Sequence, residues 1–127
     1  MAYVPYKGAT YLAPFNGVPH LFVIMNDPCV NRLCLIVMLT SVKDKRKHDT
    51  ACIINAGEHQ FVTKPTYVLY RLADYSLAAH IGKMVDKGYY MPWPDVKPAL
   101  FQRICDGLYK SNESRPSMCT YAKSVGI

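Results

Sequence analysis

The longest unbroken apolar run in this chain is seven residues, Leu33-Cys-Leu-Ile-Val-Met-Leu39. The other apolar runs in the first 70 residues are shorter and end on turn signals. That punctuation excludes a membrane helix, which needs about 20 apolar residues, and points to a fold assembled from short strands. Residues 9–13 (Ala-Thr-Tyr-Leu-Ala) predict a first strand, closed by Pro14 and by the Asn16-Gly17 pair. Asn-Gly between apolar runs is a hairpin signal, and the chain returns in Leu21-Phe-Val-Ile-Met25. Asn26-Asp-Pro28 stops that strand. The seven-residue run, extended to Thr40, is the most apolar strand and is expected at the centre. Residues 50–55 and 66–70 predict two more strands, with Phe61-Val-Thr63 either a turn or a short extended piece. Such a series of short strands implies a small barrel or sandwich.

The period then changes. Leu77, Ile81, Met84 and Val85 recur at helical spacing and stop at Gly88. Residues 98–110 place Leu100, Phe101, Ile104, Cys105 and Leu108 on one face, a clear amphipathic helix. Between them, Tyr89-Tyr-Met-Pro-Trp-Pro94 is a non-helical aromatic stretch. It is either a structural bridge or a docking site anchored by Trp93. Residues 111–127 are polar and Ser-rich, either a frayed tail or a segment ordered by a partner. No repeat or linker divides the chain. A single domain over 1–127 is expected, with the barrel at about 8–75, a helical region at about 76–110 and a polar tail at 111–127.

Fifteen Lys and Arg against nine Asp and Glu leave a net charge of +6. A small basic domain favours polyanionic partners, nucleic acid first. The sharpest basic run is Lys43, Lys45, Arg46 and Lys47, a polar loop that follows Thr40 directly. Asp44 and Asp49 reduce it to a net +2, and the region after residue 96 carries a net +3. As phosphate contacts such residues supply salt-dependent, sequence-blind affinity. The five cysteines are odd in number and include no CxxC pair, so neither a disulfide framework nor a zinc knuckle is indicated. With an N-terminus that has no apolar signal core, they point to a reducing cytoplasm. No pair among the four histidines has metal-ligand spacing, no glycine-rich phosphate loop is present and no serine sits in a Gly-x-Ser-x-Gly elbow. Neither metal nor cofactor is expected.

In order along the chain stand Gly8-Ala-Thr-Tyr11, then Gly17-Val-Pro-His-Leu-Phe-Val-Ile24, and then a strand ending Met38-Leu-Thr-Ser41. The loop to Asp49 follows, and Thr66-Tyr-Val-Leu-Tyr70 precedes Leu72-Ala-Asp74. This ordered series, over residues 8–80, resembles the PemK/MazF-like toxins of prokaryotic toxin–antitoxin systems. The resemblance implies an SH3-like β-barrel with C-terminal helices, a homodimer, and a metal-independent endoribonuclease acting on single-stranded RNA. It also implies a cognate antitoxin protein as partner. Some relatives of the barrel instead poison DNA gyrase. One departure matters. The family carries a catalytic arginine in an Arg-Pro pair before its second strand; Pro19 and His20 stand there in this chain. The threonine at the end of the next strand is kept as Thr40. Either the chemistry is re-equipped or the chain is an inactive relative that binds nucleic acid or a host protein.

Metal-free RNA cleavage needs a base for the ribose 2′-OH, an acid for the leaving 5′-oxygen and donors for the phosphorane. Histidine suits the first two roles. The catalytic candidates are therefore His20 in place of the arginine, His59 as its partner and Thr40 as a phosphate-oxygen donor. His59 has a second reading, since alternation with Phe61 makes it a hydrogen-bonded core histidine. His48 reads as a solvated loop end and His80 as a helix-surface residue. Lys43, Lys45, Arg46, Lys47, Arg71 and Tyr70 are the candidate nucleic-acid contacts, extended by Lys64 and Tyr67. One of Tyr67 and Tyr70 is expected in the core, because residues three apart on a strand face opposite ways.

Overall fold

The structure is a computed structural model and describes residues 2–127. Asn16 and Gly17 take φ of 51° and 78°, the left-handed pair that a two-residue hairpin turn requires. They join β1 (Thr10–Phe15) to β2 (Val18–Ile24), with Phe15 opposite Val18 and Ala13 opposite His20. β1 thus runs through Pro14, where the sequence suggested an end. The reason lies in the ladder. In an antiparallel pair, hydrogen-bonded and non-bonded rungs alternate. Next to a two-residue turn the Phe15–Val18 rung is bonded, so Pro14 and Pro19 face each other on a rung that needs no N–H. The missing donors are felt only on the outer side of each strand.

β3 (Leu33–Ser41) is the central strand, as its composition predicts. On one side it pairs with β2, Phe22 opposite Met38 and Ile24 opposite Ile36. On its other side, β6 (Asp74–Leu77) covers Leu33 to Ile36 and β5 (Thr66–Val68) covers Leu39 to Ser41. β4 (Ile53–Ile54) adds to β5, and β7 (Met91–Trp93) adds to β1. The result is a seven-stranded antiparallel sheet in the order β4-β5-β3-β2-β1-β7, with β6 also on β3. The strand expected over residues 50–55 shrinks to two residues, and a 3-10 turn at Tyr70–Leu72 carries the chain from β5 to β6.

Three helices complete the fold: α1 (Ala78–Asp86), α2 (Pro98–Lys110) and α3 (Pro116–Ser124). Pro98 and Pro116 begin α2 and α3, a position where the missing N–H has no helical partner to lose. The segment read as a polar tail is therefore largely helix, anchored by buried Met118 and Ala122. The main core packs Leu21, Val23, Leu35, Val37 and Val68 of the sheet against Leu100, Ile104 and Leu108 of α2. A smaller core gathers Tyr11, Ile24, Cys34 and Ile81 on the α1 side. Among the described residues no helix is long and apolar enough to cross a membrane.

Candidate functional site

Beyond the Phe22–Met38 rung the ladder between β2 and β3 stops. Pro19 has no N–H to offer on that side. A groove of about 770 Å³ opens there, between the hairpin tip (Phe15 to Pro19), the end of β3 and the segment Phe61 to Lys64. Four cations reach it: Lys43, Arg46, Lys64 and Arg71. No Asp or Glu lines it. Focused positive potential without a competing carboxylate suits a phosphodiester chain. Apolar and aromatic walls from Phe15, Met38, Phe61 and Tyr67 suit unpaired bases.

His20 is half-buried at the wall of this groove. Its Nδ1 lies 3.1 Å from the carbonyl oxygen of Leu39. A carbonyl only accepts, so Nδ1 presents an N–H there, and in the neutral ring the lone pair is on Nε2. The imidazole thus takes up a carbonyl that the next rung of the β2–β3 ladder would have used. The edge of the Phe15 ring, 6.1 Å away between centroids, backs it. Continuing the β2–β3 register places His20 across from Thr40. Thr40 in turn is the direct partner of Tyr67 on β5. One row across the sheet therefore carries His20, Thr40 and Tyr67, and all three line the groove.

The basic loop is shaped by its backbone. Val42 N–H donates to the Pro65 carbonyl at 2.9 Å, and Lys45 adopts φ of 64° in the turn that follows. This geometry sends Lys43 and Arg46 to the groove, while Lys45 and Lys47 are exposed outside its lining. At the loop's far end Asp49 is held by the Ala51 N–H at 2.9 Å and by the Ser111 hydroxyl. His48, just before that anchor, is half-buried, with its ring 5.3 Å from that of Tyr67. Its position beside a groove residue has no signal in the sequence.

Two expected residues lie elsewhere. Tyr70 is fully buried and its hydroxyl donates to the Ile104 carbonyl at 2.7 Å. Burial drives its ionisation far upward, so it stays a neutral donor in the core. Tyr67 is the tyrosine in the groove. His59 is 6% exposed and outside the groove lining. Its Nε2–H donates to the Pro94 carbonyl at 2.6 Å, and its Nδ1 accepts the Phe61 N–H at 3.0 Å. Both nitrogens are committed, which matches the core-histidine reading. His59 and the Phe61 ring, edge-on to Trp93 at 5.4 Å, bring the loop after β4 against β7. The aromatic stretch around Trp93 is thus structural, and His59 positions one wall of the groove.

A second cavity, about 640 Å³, lies between Lys7, Asp27, α2 and the Val125–Ile127 segment. It has mixed charge and no imidazole, and burial pushes its Cys105 thiol up to about 11. It carries no comparable chemistry. Among the described residues no cluster of His, Cys, Asp and Glu is arranged to hold a metal ion. Set against known proteins, the sequence matches no family model and no curated protein.

Proposed function

We propose that this chain is a metal-independent endoribonuclease acting on single-stranded RNA, a toxin of the PemK/MazF type built on an SH3-like barrel. The observation that carries the reading is the groove itself: four cations, no carboxylate, and an imidazole whose Nδ1 is tied to Leu39 so that Nε2 is available. Lys43, Arg46, Lys64 and Arg71 hold the backbone phosphates, and the Thr40 hydroxyl donates to a phosphate oxygen. His20 Nε2 takes the proton from the 2′-OH of the bound ribose. The contacts of His59 and Phe61 with Pro94 and Trp93, which bring the loop after β4 to the segment of β7, support the barrel reading. The resemblance adds a cytoplasmic homodimer restrained by an antitoxin.

The test is incubation of purified protein with a labelled single-stranded RNA in EDTA. His20→Asn keeps an N–H donor for Leu39 and removes the base. Cleavage by the wild type and a loss of roughly 10²- to 10⁴-fold in the variant are expected. Equal rates for both proteins would remove His20 from the chemistry. Intact RNA with salt-sensitive binding would instead establish a second reading, a non-catalytic binding module. The specific observation favouring that alternative is Pro19-His20 standing where the family has its arginine.

A further inference from the structure

Cleavage through the 2′-OH needs a proton donor on the side of the phosphorus opposite the attacking oxygen, because the entering and leaving oxygens are in line. His20 stands at one end of the row His20–Thr40–Tyr67. Beyond Tyr67, just outside the groove lining, stands His48, whose ring lies 5.3 Å from that of Tyr67. β3, which carries Thr40, lies between β2 and β5 in the sheet, so a phosphate held at Thr40 has His20 on the β2 side and His48 beyond Tyr67 on the β5 side.

We infer that His48 is the general acid of this site, an inference that rests on the ribonuclease reading above. Three features of its setting support the role. Its Nδ1 faces the Arg46 carbonyl at 3.4 Å, a long contact that only an N–H can make favourable. That contact is compatible with both the neutral and the charged ring, so Nε2 is free to carry and release a proton. The Asp49 anchor to Ala51 and Ser111 fixes the neighbouring residue, and Arg46, which lends its carbonyl, sends its side chain into the groove. His59, by contrast, has both nitrogens bonded to backbone.

The step balances without water or metal. His20 Nε2 removes the 2′-OH proton, and the 2′-oxygen forms a bond to phosphorus. The P–O5′ bond breaks, and the proton on His48 Nε2 passes to O5′. The products are a 2′,3′-cyclic phosphate and a 5′-hydroxyl, and the two rings exchange protons with solvent to reset.

The test uses His48→Gln with two oligoribonucleotides, one natural and one with sulfur replacing the 5′-bridging oxygen at the cleaved bond. A thiolate leaves without protonation. On the natural RNA the variant is expected to lose roughly 10²- to 10⁴-fold in rate. On the sulfur-bridged RNA it is expected to approach the wild type, whereas His20→Asn stays impaired on both. RNA affinity and melting temperature measured alongside separate the role from a structural one. A His48→Gln protein that cleaves natural RNA at the wild-type rate, or that is equally impaired on both substrates, overturns the assignment and leaves the ribonuclease reading intact. A wild-type protein inert towards both substrates overturns the two together.

Discussion

The four groove cations define a salt dependence that distinguishes them from the rest of the basic loop. Each phosphate neutralised on a single strand contributes a slope of about −0.7 in log affinity against log salt. If Lys43, Arg46, Lys64 and Arg71 each engage one phosphate, the slope is about −2.8. Raising salt from 50 to 200 mM, a fourfold change, then weakens binding by about 50-fold. The double variant Lys64→Gln/Arg71→Gln keeps two of the four and is expected to show a slope of about −1.4, or about 7-fold over the same range. Lys45→Gln/Lys47→Gln removes the same formal charge from residues outside the groove lining and is expected to keep nearly the full slope. The assay is fluorescence anisotropy of a labelled oligoribonucleotide in EDTA, on a His20→Asn background so that the probe survives. The reasoning is refuted if the two double variants lower the slope equally, or if the parent slope is near zero. The first outcome would mean a diffuse field rather than a groove; the second would mean that no phosphate is held.

Other outcomes follow from the core and the loops. Gly107 lies under Tyr70, where an added Cβ would overlap the hydroxyl and come 2.8 Å from Cζ and 3.1 Å from Cys52 Cβ. Gly→Ala inside a helix usually gains about 1 kcal/mol, but here overpacking of about 1–3 kcal/mol and loss of the Tyr70–Ile104 bond reverse the sign. Denaturant midpoints of Gly107→Ala should fall, and a rise would contradict the packing described. His59→Leu leaves the Phe61 N–H without its acceptor and is expected to cost about 1–3 kcal/mol. Trp93 is the sole tryptophan, so a shift of its emission in this variant reports loosening between the β4 loop and β7, and unchanged emission would count against that contact. The Arg103 guanidinium beside Glu58 holds its carboxyl below the ordinary value of 4.5. The folded carboxyl binds its proton less readily than the unfolded one, so this contribution is full above pH 4.5 and is lost as pH falls through the lower folded value. Arg103→Gln should therefore flatten the acid limb of stability against pH, and an unaltered limb would show that the pair does not contribute.

Much of this was legible in the sequence wherever local chemistry decides structure. Asn16-Gly17 sets a hairpin by itself, the run from Leu33 seeks the centre of a sheet, and α2 announces itself by a complete apolar face. Elements that depend on a partner strand or a distant surface were not legible. β7 contains Pro92 and is a strand only because β1 offers an edge. β6 has most of its side chains exposed, Tyr75 and Leu77 among them, and is defined by its register with β3. α3 buries only Met118 and Ala122, too few positions for a period to be recognised. The site divides in the same way. His20, Thr40, Lys43, Arg46 and Arg71 line one groove because strand ends and the loop beyond them cluster in a small sheet. Tyr67 and Tyr70 were separable only as a pair, since the 3-10 turn that sinks Tyr70 towards α2 is a tertiary event. The end of the β2–β3 ladder beside the groove has a local contribution from one residue. Pro19 costs the hairpin nothing, because its rung with Pro14 uses no N–H, yet it denies β3 a donor on the other side. At the end of that ladder the Leu39 carbonyl accepts from the His20 imidazole, and this contact is what holds the ring in the groove wall.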